Sequence, residues 1–369
     1  MIIKSLEISN YRNYEYACIN FDKGTNILYG DNAQGKTNIL EAIYLSATTK
    51  SHKSAKDSEI IRFNNDEAHI RTLIEKDGID TKIDMHLRKK GSKGIAIDQT
   101  RINKAADLLG ILNVCFFSPE DLSIIKNGPA ERRRFIDMEL CQLDKFYIYN
   151  LNNYNKIINQ RNKLLKNLKF NPELKDTLNI WDNQIISYGS KIIERREQFI
   201  SQINSIINDI HKGLSGEKED LKIQYMPCVS IEDFEKELNM SREKDIRLKM
   251  TTVGPHRDDI SFIINDKQGR SIDIRKFGSQ GQQRTAALSL KLTEIEIVKK
   301  ITNDTPVLLL DDVLSELDSK RQNYLLNNIK NIQTIVTCTG LDEFVNNRFE
   351  INKIFKVTEG SIDQYKLEE

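Results

Sequence analysis

One eight-residue segment limits the possible folds of this chain more than any other. It reads Gly30-Asp31-Asn32-Ala33-Gln34-Gly35-Lys36-Thr37 and matches the phosphate-loop pattern G-x-x-x-x-G-K-[ST]. Residues 25–29 before it, Thr-Asn-Ile-Leu-Tyr, predict a buried strand, and the apolar spacing after it predicts a helix that ends near Thr48. Strand, glycine-rich loop and helix are the context that this motif requires. The segment therefore predicts a nucleotide-binding α/β domain.

The residue types in this loop suit a nucleoside triphosphate. Glycines let backbone N–H groups point at phosphate oxygens, and the helix N-terminus adds partial positive charge. Lys36 is expected to reach the β- and γ-phosphates, and the Thr37 hydroxyl is expected to bind Mg²⁺. An ordinary glycine turn before a helix is the structural alternative.

A second apolar strand, predicted over residues 305–310, ends in the carboxylates of Asp311 and Asp312. In phosphate-loop ATPases the aspartate that holds Mg²⁺ occupies this place. We expect Asp311 to hold the ion directly or through water. Asp312 is expected to lie beside the attacking water as a polariser or general base. The alternative is a buried strand that ends at a solvated acidic turn.

A third segment precedes that strand and reads Lys276-Phe277-Gly278-Ser279-Gln280-Gly281-Gln282-Gln283-Arg284, followed by a helix rich in Ala and Leu. The Ser279 hydroxyl and nearby N–H groups are expected to cap this helix, which makes a second anion site. One chain cannot obviously place both sites on one triphosphate, but a dimer can. The Lys36 loop of one subunit and the Ser279 helix of the other would then enclose the nucleotide.

The composition limits the kinds of partner. A net charge of +1 over 369 residues gives no overall attraction to nucleic acid, so DNA contact must come from local basic patches. Most short basic runs are solvated loops or hairpin ends, which is the plainer interpretation here. The candidates by charge alone are Lys50, Lys53, Arg88, Lys89, Lys90, Arg132, Arg133 and Arg134.

The expected location is cytoplasmic. Five scattered cysteines without a C-x-x-C pair indicate reduced thiols. No stretch approaches 18 apolar residues, and the strand-like start shows no apolar signal region, so we expect no membrane segment.

Apolar periodicity predicts three segments along the chain. Alternation from residue 68 to about residue 103 predicts a β-meander beside the nucleotide core. Two helical stripes, 136–168 and 181–210, predict an antiparallel coiled-coil-like arm roughly 50 Å long. Two long helices packed flat on the core are the alternative. The predicted domains are 1–128, the first half of the ATPase; 129–245, the helical lobe; and 246–369, the second half.

The joint set of motifs resembles the ABC-type ATPases of the SMC class. Residues 279–283 look like their signature motif, Asp311-Asp312 like Walker B, and residues 315–318 like the D-loop. Within this class the chain is similar to the RecF family. The segments that carry this resemblance are Leu6–Tyr14, Gly30–Asn38, Phe117–Leu122 and Gly254–Asp259, and they occur in the family's order.

The resemblance implies a fold and a set of site residues. The fold is an α/β ABC/SMC-type head with a β-subdomain and an inserted helical lobe, and the cofactors are ATP and Mg²⁺. Lys36, Asp312 and Ser279 are the implied catalytic residues, and Thr37 and Asp311 the implied metal ligands. The implied nucleotide contacts are Gly30, Asp31, Asn32, Ala33, Gln34, Gly35, Lys36, Thr37, Asn38, Arg12, Ser279, Gln280, Gly281 and Gln282.

The resemblance also implies an activity. The protein would dimerise on ATP, bind gapped DNA at single-/double-strand junctions, and with RecR, and also RecO, promote loading of RecA in DNA repair, replication and the SOS response. A weak, DNA-stimulated ATPase would serve release. Asp312 stands where many ABC ATPases carry Glu, which favours slow hydrolysis. The strand 334–339 lacks a switch histidine, so Thr337 and Thr339 are candidate γ-phosphate sensors.

Three rival functions and the role of one histidine are undecided at this point. A transporter ATPase subunit is disfavoured by the helical insertion and the missing switch histidine. An ATPase-gated nuclease would need a further domain, and only about 40 residues follow the D-loop helix. A small-molecule kinase lacks a marked acceptor pocket. His256, in a polar loop, is favoured as a hydrogen-bonded structural residue over a catalyst.

Overall fold

The computed structural model describes residues 1–53, 56–217, 219–266, 269–340 and 351–365. Ser54 and Ala55 of the predicted basic loop lie outside these ranges. The chain divides into two compact units, residues 1–121 with 294–369, and residues 122–293. This division falls elsewhere than the predicted boundaries at 128/129 and 245/246, because residues 246–293 pack with the helical segment. The functional division into three segments stays a prediction.

The strands of the described residues are β1 (Ile2–Tyr11), β2 (Tyr14–Asn20), β3 (Thr25–Tyr29), β4 (Glu67–Lys76), β5 (Ile79–Arg88), β6 (Gly94–Ile97), β7 (Thr100–Ile102), β8 (Val114–Phe117), β9 (Glu219–Met226), β10 (Asp259–Asp266), β11 (Ser271–Asp273), β12 (Val307–Asp311), β13 (Thr334–Cys338), β14 (Lys353–Thr358) and β15 (Ser361–Tyr365). The helices are α1 (Lys36–Thr48), α2 (Asp57–Ile60), α3 (Leu122–Lys126), α4 (Pro129–Leu143), α5 (Lys145–Asn167), α6 (Leu178–Ser215), α7 (Phe234–Met240), α8 (Arg242–Leu248), α9 (Ile274–Phe277), α10 (Gln280–Thr302) and α11 (Ser319–Asn328).

A mostly parallel sheet forms the centre of the first unit. Its strand order is β15-β14-β3-β13-β12-β8, and only β15 pairs antiparallel. Every residue of β12 and β13 is buried, as expected for parallel strands covered on both faces. The predicted strands before the phosphate loop and before Asp311 are confirmed as β3 and β12. Because parallel strands end at the same edge, both motifs reach one edge of this sheet.

An antiparallel sheet with the order β2-β1-β4-β5-β6-β7 forms the second layer of this unit. Its inner face carries apolar residues, whereas its outer face is polar, as the alternating burial of β4 shows. Helix α1 contacts strands of both sheets, and apolar residues of both share one core. The predicted β-meander is therefore confirmed as β4–β7, although β1 and β2 extend it into a larger sheet.

Helices α5 and α6 form an antiparallel pair in the second unit. Arg161 of α5 binds Asp182 near the start of α6 at 2.6 Å, whereas Asp144, just before α5, binds Arg195 further along α6 at 2.8 Å. The first predicted stripe is broken at Asp144, whose carboxylate accepts the N–H groups of Phe146 and Tyr147 and so starts a new helix. The antiparallel pairing is confirmed, and its projection as an arm stays a prediction.

Buried arginines connect the helices of this unit to its loops. Arg161 is fully buried and also binds Asp245 at 2.6 Å. Arg196 lies between Asp137 and Asp258, at 2.7 and 2.9 Å. Such arginines are tolerated in a core only because their guanidinium groups are paired. A small sheet of order β11-β10-β9 completes the unit. Across the described residues, no helix is both long and apolar enough to cross a membrane.

Candidate nucleotide-binding site

The phosphate loop of residues 30–35 surrounds the ammonium group of Lys36. Its Nζ donates hydrogen bonds to the carbonyl oxygens of Gly30 at 2.6 Å and Asp31 at 2.9 Å, and the residue is 4% exposed. Helix α1 begins at Lys36, so its N-terminal N–H groups face the same loop. An ammonium group and free N–H groups at a helix start form a site for phosphate oxygens.

Two glycines of the loop have no room for a side chain. Gly35 has φ +113°, and a Cβ there would lie 2.6 Å from the Asn13 side chain and 2.9 Å from the Tyr14 hydroxyl. At Gly30 a Cβ would lie 2.3 Å from the backbone oxygen of Val357. Both positions therefore require glycine for steric reasons, and Gly35 requires it for its backbone angle as well.

The turn between β1 and β2 supports the loop from outside. Asn13 Nδ2 donates to the Gln34 carbonyl oxygen at 2.9 Å, and the Tyr14 hydroxyl donates to the Gly35 carbonyl oxygen at 3.1 Å. Asn38, a predicted nucleotide contact, donates through Nδ2 to Asn13 Oδ1 at 2.8 Å. The sequence alone did not single out Asn13 and Tyr14 as supports of the loop. They do, however, directly follow Arg12, a predicted nucleotide contact.

Arg12 is bound to the helix that follows the loop. Its Nε and Nη2 atoms lie 2.8 and 2.7 Å from the two carboxylate oxygens of Glu41, which is buried in α1. Ser51 Oγ donates to the same carboxylate at 2.5 Å. Burial alone would raise the pKa of Glu41, but the hydrogen bonds from Arg12 and Ser51 outweigh it and lower that pKa. The predicted contact of Arg12 with nucleotide stays a prediction.

Three oxygen-bearing side chains meet where β12 and β13 end. Thr37 Oγ1 and Thr337 Oγ1 each donate to Asp311 Oδ1 at 2.8 Å. The Asp312 N–H donates to Thr337 Oγ1 at 3.0 Å, and Asp312 has a left-handed φ of +51°. Residues 274 positions apart in the chain, Thr37 and Asp311, are thus in direct contact.

These donors fit a magnesium ion. Hydroxyl and carboxylate oxygens are the ligand types that Mg²⁺ prefers, and the ion usually keeps several waters beside one or two protein ligands. Thr37 Oγ1 and Asp311 Oδ1 are adjacent and lie beside the phosphate loop, so both could hold an ion that also binds phosphates.

A cavity of about 220 Å³ opens beside Asp312. Its lining residues are Asp312, Leu314, Ser315, Thr337, Cys338, Thr339 and Gly340. Thr339 is exposed there, whereas the Thr337 hydroxyl is already shared by two hydrogen bonds. Of the two candidate γ-phosphate sensors, Thr339 is therefore the one whose position leaves it open to a ligand.

The signature-like segment lies in the second unit and starts helix α10. Ser279 Oγ accepts the Gln282 N–H at 3.2 Å, and Gln282 Oε1 accepts the Ser279 N–H at 2.8 Å. This reciprocal pair is a capping box, and it confirms the predicted helix cap. Ser279, Gln280 and Gly281 are exposed, so their backbone and hydroxyl groups are accessible to a ligand. Their contact with nucleotide stays a prediction.

His256 takes part in a hydrogen-bond network of the second unit. Its Nε2–H donates to the Thr251 carbonyl oxygen at 3.0 Å, so Nδ1 accepts the Tyr154 hydroxyl at 2.7 Å. Burial lowers the pKa of His256 to about 4, which keeps the imidazole neutral. These contacts support the structural interpretation of this histidine.

The basic candidates for DNA contact divide by exposure. Arg132 is buried and binds both carboxylate oxygens of Asp259 at 2.6 and 3.0 Å, so its proposed DNA contact is wrong. Charge alone could not reveal this because the partner lies 127 residues away. Arg133 is half-buried and donates to the Asp258 carbonyl oxygen at 2.6 Å. The exposed candidates are Lys50, Lys53, Arg88, Lys89 and Lys90.

Two relatives with similar sequences carry the same name. A protein from Agathobacter rectalis named DNA replication and repair protein RecF is 61% identical over 363 residues, 98% of this chain and 99% of that protein. A protein of the same name from Lachnospira eligens is 61% identical over 364 residues, again 98% of this chain and 99% of the relative. These matches favour the RecF family over the transporter, nuclease and kinase alternatives.

Solved structures agree in fold. The recombination mediator protein RecF of the RecFOR pathway in its ATP form is 35% identical, with a TM-score of 0.92 over 99% of this chain and 97% of that chain. An Smc head domain from Pyrococcus furiosus, at 18% identity and a TM-score of 0.57, shares the fold over 99% of this chain and 96% of that one. The family model described as RecF/RecN/SMC N-terminal domain matches residues 2–363. The chain therefore belongs to the RecF family of SMC-like, ABC-type ATPases.

Proposed function

We propose that this chain is an ATP-switched DNA-binding protein of recombinational repair and replication. The observation that carries the proposal is the contact of 2.8 Å between Thr37 of the phosphate loop and Asp311 at the end of β12. It joins the two motifs that an ATP-Mg²⁺ site requires. The relatives named DNA replication and repair protein RecF support the cellular role.

In this proposal the first unit binds and hydrolyses ATP. Loop residues 30–37 and Asn38 bind the phosphates, Lys36 neutralises their charge, and Thr37 and Asp311 hold Mg²⁺. The ion, when bound, neutralises charge on the phosphate oxygens. Asp312 orients or deprotonates the attacking water, and Thr339 senses the γ-phosphate. The side chain of Asp312 is shorter than the glutamate that many ABC ATPases carry at this position. This favours slow ATP hydrolysis, as expected for an ATPase that acts as a switch.

The second anion site calls for a second subunit. Exposed Ser279, Gln280 and Gly281 at the start of α10, with Gln282 holding the cap, would bind the γ-phosphate held by the partner's loop. Arg12 would approach the nucleotide in the same closed state. ATP therefore bridges two half-sites, and the dimer opens after hydrolysis.

The closed dimer would bind gapped DNA at single-/double-strand junctions. With RecR, and with RecO, it would promote RecA loading, which implies a cytoplasmic, nucleoid-associated protein. The ATP-form relative is described within the RecFOR pathway, which supports this choice of partners. By linkage, DNA that prefers the closed dimer must tighten ATP binding by the same factor, with a coupling of about 1–3 kcal/mol.

Sedimentation of the wild type and of Lys36→Arg tests the proposal, with and without ATP-Mg²⁺ and a gapped duplex. We expect ATP to convert the wild type to a dimer that holds the junction, and we expect Lys36→Arg to impair this. Lys300→Arg, at an exposed position of α10, is the matched control and should behave as wild type. A wild type that stays monomeric with saturating ATP would overturn the dimer switch. If ATP produces dimers that do not bind the gapped duplex, only the proposed role in repair is overturned.

A further inference from the structure

Two histidines and a glutamate lie together on the outer face of the antiparallel sheet. Glu67 and His69 occupy alternate, exposed positions of β4, and His86 lies directly opposite His69 in β5. The two imidazole rings are stacked, with centroids 4.2 Å apart and an interplanar angle of 20°. His86 Nε2 lies 2.8 Å from Glu67 Oε2. This Glu67–His69–His86 cluster has no part in the nucleotide site.

The donor atoms of the cluster are close enough to share an ion. One ligand atom from each residue lies within 4.8 Å of the other two. Ligand bonds of about 2.0–2.1 Å place neighbouring donors on a tetrahedral zinc ion about 3.3 Å apart. Closing this difference needs only side-chain rotation, and the Glu67 side chain is 51% exposed and therefore free to turn.

We propose that Glu67, His69 and His86 form a binding site for one divalent transition-metal ion of the zinc class. Two imidazoles and one carboxylate are a set that leaves a fourth position to water. That position would face a groove of about 450 Å³, which is lined in part by Ser9, Gly94 and Ala96. Imidazole ligands select zinc-class ions over Mg²⁺, so this site is distinct in chemistry from the oxygens of the nucleotide site.

Two neighbouring arginines, Arg71 and Arg88, oppose the ion, and Arg71 is itself paired with Asp84 at 2.6 Å. Arg88 Nη2 lies 3.1 Å from His86 Nδ1, and its Nε lies 3.6 Å from Glu67 Oε1. A metal on Nε2 leaves the proton on Nδ1, which removes the acceptor for Arg88. The Arg88 side chain is 45% exposed, so it can turn into solvent when the ion binds. Without a metal, the same residues form an ordinary surface ion-pair cluster. The experiment must distinguish this alternative from a metal site.

Zinc titration of the nucleotide-free full chain tests the site, with excess Mg²⁺ present to occupy hard oxygen ligands. Calorimetry should show one equivalent of Zn²⁺, and thermal unfolding should shift upward because the ion binds only the folded sheet. Co²⁺ in place of Zn²⁺ should give the visible absorption of a tetrahedral site. His69→Gln, His86→Gln and Glu67→Gln should each weaken Zn²⁺ binding at least about tenfold.

Glu75→Gln is the matched control, because Glu75 lies on the same strand and the same face at its far end. It should leave Zn²⁺ binding unchanged, and circular dichroism checks that every variant folds. The proposal is overturned if the wild type binds no Zn²⁺, or if the His69→Gln/His86→Gln double variant binds it as tightly as the wild type. Equal weakening by Glu75→Gln would also overturn it, since the effect would then reflect surface charge.

Discussion

Thr337 Oγ1 lies 2.8 Å from Asp311 Oδ1 and donates a hydrogen bond to it. The same hydroxyl accepts the N–H of Asp312 at 3.0 Å. One side chain therefore fixes both the proposed metal ligand and the left-handed backbone of the proposed catalytic aspartate. Thr337 is a positioning residue for the site, since its hydroxyl acts through two neighbours and not on a ligand.

Replacing Thr337 tests this positioning role. Thr337→Val keeps the volume but removes the hydroxyl, so Asp311 and the Asp312 N–H each lose a buried partner, at a cost of about 1–3 kcal/mol. We expect ATP hydrolysis to fall about tenfold, with more Mg²⁺ needed for half-maximal rate. Thr337→Ser keeps the hydroxyl and should stay near wild type. Equal rates in the two variants would contradict the role.

Glycine at position 35 is predicted to be indispensable for two separable reasons. Gly35→Ala adds a Cβ that meets Asn13 at 2.6 Å and also strains a φ of +113°. Gly91→Ala is the matched control, because Gly91 has φ +106° with nothing within 4 Å of its Cβ. We expect the control to lose about 1–3 kcal/mol of unfolding free energy and to bind a fluorescent ATP analogue normally. Gly35→Ala should lose nucleotide binding, and normal binding would show that the loop tolerates the displacement.

Local chemistry explains which parts of this site could be predicted from the sequence. The phosphate loop, the strand that ends at Asp311 and the Ser279 helix cap each depend on residues within a few positions of one another. Their required residue types leave a visible pattern. The same holds for the alternating strands β4 and β5, since burial of one sheet face imposes a period of two.

The remaining features depend on partners far apart in the chain. Thr337 and Asp311 are 26 residues apart, and Arg12 and Glu41 are 29 apart, so no short pattern joins them. Arg132 belongs to a basic run in the sequence, yet in the structure it is buried and paired with Asp259. The predicted first stripe continued through Asp144 because its period fits one helix, whereas the carboxylate of Asp144 caps a second one. Tertiary contacts decided each of these cases.

Glu41 is predicted to stabilise the fold through Arg12. Glu41→Gln leaves the partly buried guanidinium with a neutral partner, and charged hydrogen bonds of this kind contribute about 1.5–3 kcal/mol. We expect a loss of about 2 kcal/mol in urea unfolding at pH 7. Glu15→Gln is the control, because Glu15 forms a surface pair with Arg62 and is 78% exposed, so its loss should be at most about 1 kcal/mol. Similar losses in both variants would contradict the burial argument.

Stability at acid pH is predicted to depend on His256. Burial lowers its folded pKa from 6.5 to about 4, so the unfolded chain takes up a proton that the folded chain excludes. The contribution is fully present above pH 6.5 and is lost as the pH falls toward 4, by at most about 3 kcal/mol. His52 has its pKa lowered to about 4 by burial as well, so the wild type carries both effects. His256→Gln should be less stable at pH 7 but should lose less between pH 7 and pH 5, as measured by chemical denaturation at each pH. If wild type and variant lose the same free energy over this interval, His256 is not the titrating group.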